Sequence, residues 1–397
     1  MSNSIHINRR KFLQMGATGI GLFAAGGLAN CTGDAAVNSS APFYKLEDIG
    51  PLQAPDEHGL MLPAGFSYRI VARSGEAPVG LPGYTWHGSP DGGACFPTED
   101  GGWVYVSNSE MRSNAGGVGA LRFNAQGEKV AAYSILKNTS INCAGGATPW
   151  GTWLSCEEFA RGQVYECDPM GNTAAVVRPA LGTFRHEAVA VDPGNQCLYL
   201  TEDTPDGGFY RFVATNGLPD LTVGRLEIAA LSERDGQSLI NWLPVPDPLA
   251  KQIPTRKQVL ESARFRGGEG IALHAGKAFF VTKHDNRVWC YDTENQNIGV
   301  VYDVSTSDNP ILSGVDNVVI TPGGDVLVAE DGGDMQLVAI TADGELMPLL
   351  QIIGQQRSEI VGPAFDPSYQ RLYFSSQRGS TGNRRTGGIT YEISYTG

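Results

Sequence analysis

The stretch NCAGGATPWGTWLSCEE, residues 142–158, opens on a thiol, Cys143, and closes on two carboxylates, Glu157 and Glu158. Comparable acids recur along the chain at Glu110, Glu187, Glu202 and Asp203, Glu269, Asp316, and Glu330 and Asp331. Carboxylates alone are hard donors that suit calcium, whereas a thiolate among carboxylates suits a transition metal such as iron. Each acid taken singly reads as a solvated turn residue. Held together in a confined space, they ionise only if cations neutralise them. The question is whether the chain brings them together.

The elements that carry them repeat. Six segments share a short apolar run, a turn, a second apolar run ending in polar residues, and a third run. The second runs (WVYVS, TWLSC, CLYLT, AFFVT, VLVAE and LYFSS) have the β-branched and aromatic content of strands. Turns rich in Gly, Pro, Asp and Asn precede them. The spacing is regular: 44 residues from Cys143 to Glu187, and 47 from Glu269 to Asp316 and again to Pro363. This pattern predicts an all-β chain folded as a six-bladed β-propeller. The longer step from Glu187 to Glu269 holds an insertion, residues 217–265, with proline-rich and helix-compatible stretches. GFSYRIVAR, residues 65–73, is expected to supply the outer strand of the last blade and close the ring. Six independent hairpins in an open sandwich are the competing arrangement.

In a propeller the start of each inner strand and the end of the next strand meet on one face. Cys143, Glu187, Glu269 and Asp316 fall at such starts. Glu110, Glu157, Glu158, Glu202, Asp203, His284, Asp285, Glu330 and Asp331 fall at such ends. All are therefore expected at one mouth of one channel. Asp192, Asp325 and Asp366 fall in the turns of the opposite face, where simple turn roles are expected.

At this point NCAGGATPWGTWLSCEE, RHEAVAVDP, LYLTEDTPDGGFYRF, GGEGIAL and LVAEDGG together resemble the PhoX-type alkaline phosphatases, over most of the mature chain. The resemblance implies a six-bladed propeller holding two iron ions and several calcium ions, and hydrolysis of phosphate monoesters by metal-activated water. It implies Cys143, Glu187 and Glu269 as iron ligands. It implies Glu158, Glu202 or Asp203, and Asp331 as calcium ligands. Arg266, three residues before Glu269, is the matching candidate for binding phosphate in the catalytic step, with Arg264 as its substitute.

The first forty residues read as an address. Arg9 and Arg10 precede a glycine-diluted apolar stretch, the pattern of a twin-arginine export leader. Residues 1–40 are thus expected to be leader and linker, with 41–397 forming one propeller domain, monomeric and delivered by the twin-arginine machinery to the periplasm or cell surface. An ordinary secretory signal is the competing reading. Cys31 in LANC resembles a lipid-attachment box, although Asn30 is large for one. A net charge of −13 without a polybasic run argues against nucleic acid and acidic membranes as partners. No later apolar run is long enough to span a bilayer.

The remaining cysteines are scattered, and Cys95, Cys197 and Cys290 read as buried small hydrophobes rather than disulfide partners. His186 either orients Glu187 or packs. Trp150 and Trp153 read as core or as pocket wall. Two other functions compete with the phosphatase: a calcium-dependent esterase or lactonase in which a His or Asp activates water, with His186 and His284 as candidates, and a calcium-stabilised binding propeller. A thiol at the mouth distinguishes them, because only iron requires it.

Overall fold

In a computed structural model, residues 38–397 are described, apart from Asp48 and Val79. Residues 1–37, on which the expected export leader and Cys31 fall, lie outside the described residues. Six antiparallel sheets stand in a ring. Their inner strands are Pro90–Pro97, Asn142–Ala147, His186–Asp192, Gly268–His274, Val315–Ile320 and Ile360–Phe365. Each touches the next, and the sixth touches the first. The chain is an all-β, six-bladed propeller.

Closure follows the expected route. Phe66–Arg73 pairs antiparallel with Ile389–Tyr395 as the outer strand of the sixth blade. The strand Leu60–Met61 adds itself to the edge of the fifth blade. The core is divided into six apolar slabs, one between each pair of adjacent blades. Trp153 is in the slab between the first and second blades, with its indole N–H on Asn108. Trp150 lies in the turn and donates to Glu166. Both are structural. The six described cysteines are all free, and Cys197 and Cys290 are buried.

The insertion differs from expectation. GRLEIAALSER has the Leu, Ala and Glu of a helix former, yet Gly224–Arg234 is the fourth strand of the third blade. Gln237–Pro244 pairs with it as a fifth. A free edge of the blade offers Gly224–Arg234 a whole ladder of hydrogen bonds, and that pairing outweighs intrinsic propensity. Only the single turn Thr255–Lys257 is helical.

The residues of the opposite face behave as turn residues. Asp366 accepts the N–H groups of Gln370 and Arg371, and Asp192 accepts that of Asn195. Asp325 closes its turn with Thr321 and also accepts the N–H of Leu46, pinning the incoming N-terminal segment to the fifth blade.

Candidate metal centre at the channel mouth

One local device aims the ligands. In every blade the pairing of inner and second strands slips by one residue near the mouth, so that two inner-strand residues face one across the ladder. The doubled pairs are Asp91-Gly92, Cys143-Ala144, Glu187-Ala188, Glu269-Gly270, Asp316-Asn317 and Gly362-Pro363. A bulge of this kind bends the strand and redirects its side chains. Five of the six bulges begin with a potential metal ligand. The second residue is small in most blades because the inner strands nearly touch: a Cβ on Gly270 would lie 2.5 Å from the Val318 nitrogen.

The second strands contribute an outer ring. The residue immediately after each of them is Glu110, Glu158, Asp203, Lys283, Asp331 or Gln377, and all six line one cavity of about 370 Å³. Asp91, Cys143, Glu269 and Asp316 line it as well. Glu187 lies beneath, fully buried.

Alternation along the second strand separates neighbours that the sequence treats alike. Successive strand residues point to opposite faces. The last strand residue therefore turns away from the cavity and clamps its own blade. Glu202 accepts the Gly208 N–H at 2.9 Å and the Tyr210 hydroxyl at 2.7 Å, and pairs with Arg256 at 3.0 Å. Glu330 accepts the N–H groups of Ser313 and Gln336 at 2.8 and 3.1 Å. Glu157 does the same with Ser140 and Gln163. Glu157, Glu202 and Glu330 thus do not line the cavity, contrary to expectation, and neither do His284 and Asp285, whereas Glu158, Asp203 and Asp331 do. Arg266 and Arg264 are exposed and are not among the residues lining it either.

Three groups place their donor atoms within 4.8 Å of one another: Cys143, Glu158 and Glu187; Glu187, Glu269 and Asp316; and Asp91, Glu110 and Glu359. Glu187 belongs to two of them. Neither of its oxygens has a hydrogen-bond partner. Burial first, then the nearby charges of Glu269 and Glu158, pushes its carboxyl far above the usual range. Burial and Lys283 act in opposite directions on Glu269, with a net rise, and burial raises the Cys143 thiol strongly.

Cations answer only part of this charge. Lys283 reaches Glu269 at 2.5 Å, Asp203 at 3.6 Å and Asp331 at 3.9 Å. Arg185 pairs with Glu158 and lies 3.5 Å from Asp203. Arg378 pairs with Glu359 at 3.0 Å, and Arg384 with Glu110 at 2.8 Å. Gln377 donates to Asp91. Nine carboxyl groups thus share four cationic side chains.

Asp91, Glu359 and these cations were not anticipated. Asp91-Gly92-Gly93 repeats the ligand-then-small pattern of Cys143-Ala144-Gly145, which was the available signal. Glu359 has no such signal, because it precedes its strand rather than beginning the bulge. His186 is buried and stacked on Phe184, with its Nε2 against the Gly182 carbonyl. Burial lowers its pKa to about 3, so it packs as a neutral ring. His284 is exposed.

Comparison with known proteins bears on this site. The family model for alkaline phosphatase PhoX matches residues 99–165 and 160–310, more than half of the chain. The structure of Pseudomonas fluorescens PhoX in complex with vanadate, a transition state analogue, superposes with a TM-score of 0.68 at 16% identity. It covers 88% of this chain and 98% of that one. A Bacteroides thetaiotaomicron protein of unknown function superposes at 0.53 and 10% identity, covering 87% and 83%. No curated protein matches. The inner strands of the second, third and fourth blades, whose bulges begin with Cys143, Glu187 and Glu269, all fall within the matched span, and the chain belongs to the alkaline phosphatase PhoX family of phosphatases.

Proposed function

We propose that the protein hydrolyses phosphate monoesters with iron and calcium held at the channel mouth, after export by the twin-arginine route to the periplasm or cell surface. Glu187 carries this reading. A fully buried carboxylate with both oxygens unpartnered, shared by two donor groups, fits a ligand that bridges two cations. Cys143 with Glu158 and Glu187, and Glu187 with Glu269 and Asp316, suit the iron pair. The all-oxygen group of Asp91, Glu110 and Glu359 suits calcium, as do Asp203 and Asp331 on the outer ring.

Metal ions bound there would polarise phosphoryl oxygens and lower the pKa of water. The chain's own cations have the complementary task. Lys283 and Arg185 bring positive charge to the cavity, where they can hold and neutralise the equatorial oxygens of the ester. They replace Arg266 in that role. The small second residues of the bulges, Gly92, Ala144, Ala188 and Gly270, narrow the channel below the mouth to a space of about 40 Å³.

The histidine bases of the esterase or lactonase reading, His186 and His284, do not line the cavity. Metal analysis of purified protein, with p-nitrophenyl phosphate and p-nitrophenyl acetate as substrates, tests the proposal. Iron and calcium with cleavage of the phosphate are expected. Calcium without iron, with cleavage of the acetate alone, would overturn it.

The two rings of acids separate by mutation. Glu202→Ala removes a buried anion from Arg256, Tyr210 and Gly208. It should cost about 2–4 kcal/mol in urea unfolding while the folded protein keeps its metal. Metal loss at full stability would instead return Glu202 to the ligand set.

A further inference from the structure

A second cavity, of about 400 Å³, adjoins the mouth. Its outer wall is the loop after the extra strand of the third blade, residues 247–256, and this wall is built rather than draped. The Arg161 guanidinium donates to the Leu249 and Ala250 carbonyls at 3.0 and 2.7 Å. The Pro248 carbonyl accepts the Thr183 N–H, and Gln258 holds Asp247 by its N–H and its carbonyl.

The lining is unusual for so acidic a protein. Arg161, Arg185, Lys251 and Arg256 line the cavity, and no carboxylate is among its lining residues. Arg185 and Arg256 have acid partners on their other sides. Arg161 is held by neutral carbonyls, so its charge and that of Lys251 remain available. Phe184 supplies an apolar floor, and Thr204 Oγ1 and Arg185 Nε in the same wall have no hydrogen-bond partner within the protein. Arg185 lines both this cavity and the acidic one. An ester whose phosphoryl group sits at the mouth would therefore extend its alcohol portion past Arg185 into the basic cavity.

We propose that this cavity receives the alcohol portion of the substrate and favours alcohols that carry a second anionic group. The proposal rests on the phosphatase reading above and adds its selectivity. Hydrolysis breaks the bond from phosphorus to the alcohol oxygen, water supplies the new oxygen, and the alcohol leaves from this side.

A matched pair of esters tests it: 4-carboxyphenyl phosphate and its neutral isostere, 4-carbamoylphenyl phosphate. The carboxylate is expected to raise kcat/KM by about tenfold, the gain of one to two charge contacts in a partly enclosed site. The difference should appear mainly in KM, because the contact is made before and during the reaction alike. Lys251 is exposed on the loop, so Lys251→Glu leaves the fold intact and should bring the ratio to one or below. Equal kcat/KM for the two esters, with no response to Lys251→Glu, overturns the proposal alone. Cleavage of neither ester overturns the phosphatase reading along with it.

Discussion

Replacing Glu187 by Gln should abolish turnover and at the same time make the metal-free protein more stable. The two effects have one cause. Glu187 is completely buried, its oxygens find no donor, and Glu269, Glu158, Asp316 and Asp91 surround it with like charge. In the proposed site that carboxylate would serve both donor groups to which it belongs. Losing it should lower kcat on the order of 10³-fold or more and reduce the metal content. Without metal the same group is a buried acid that must stay protonated or go unpaired. Gln keeps its shape and removes the ionisation. At pH 8 the chelated Gln variant should gain about 1–3 kcal/mol over the chelated parent, or several degrees in Tm. A catalytic carboxylate merely solvated at the surface would give the first effect without the second. An active Glu187→Gln protein, or one whose metal-free form melts below the parent's, would remove Glu187 from the centre of the site.

The second large effect is on pH dependence. Metal-stripped protein should lose stability as pH rises from about 4 to about 8, and metal-loaded protein should lose much less. Burial raises Asp316 to about 7, with Lys283 opposing and Asp331 adding to the rise. Burial, then Asp203, raises Glu158 to about 8, with Arg185 opposing. The ordinary values of these side chains, which the unfolded chain has, are 3.8 and 4.5. Between the two sets of values the folded chain holds protons that the unfolded chain has released. Raising pH therefore draws the equilibrium toward the unfolded state, and the loss levels off above about pH 8. Several kcal/mol is the upper scale of the effect. Bound metal takes these groups in their ionised form and removes the proton uptake. Glu330, raised to about 7 by burial, clamps its blade outside the cavity. It gives the same slope in both forms, so the difference between the curves reports the site. Parallel Tm-against-pH curves for the chelated and loaded protein would show that the acids are not coupled through metal.

Much of the fold was legible because its period is carried by strand composition and turn chemistry, which are local. Closure by residues 65–73 was legible for a different reason: the last segment lacked the outer strand that the other blades have, and the strand-like run ahead of the first blade could supply it. Within the mouth, the sequence displays the pairs Glu157–Glu158, Glu202–Asp203 and Glu330–Asp331 without saying which member faces inward. That choice depends on where each strand ends relative to its ladder, a matter of register that a single residue's shift would invert. Cys143, Glu187, Glu269 and Asp316 could be found because they recur at the starts of inner strands in a regular repeat. Asp91 obeys the same rule in a segment where the proline and glycines read as turn. Lys283 was hidden by its type, since a search for ligands passes over the cation that sits among them. The helix-compatible insertion became strand because an open blade edge was there to receive it, which no property of its own residues announces.

The six bulges also bear on how such a site changes over time. The backbone makes each slot, and the side chain at its first position only fills it, so one blade's contribution can be exchanged without disturbing its neighbours. Glu269 could become another donor while Glu187 and Asp316 keep their geometry. The sixth slot marks the boundary of this freedom. Gly362 has φ +61°, and a Cβ there would lie 2.4 Å from the Asp91 carbonyl oxygen. Its place is taken instead by Glu359, reaching in from outside the bulge. The ring is in effect an editable rack of five positions and one permanent blank, and divergence among its descendants should be concentrated in the five.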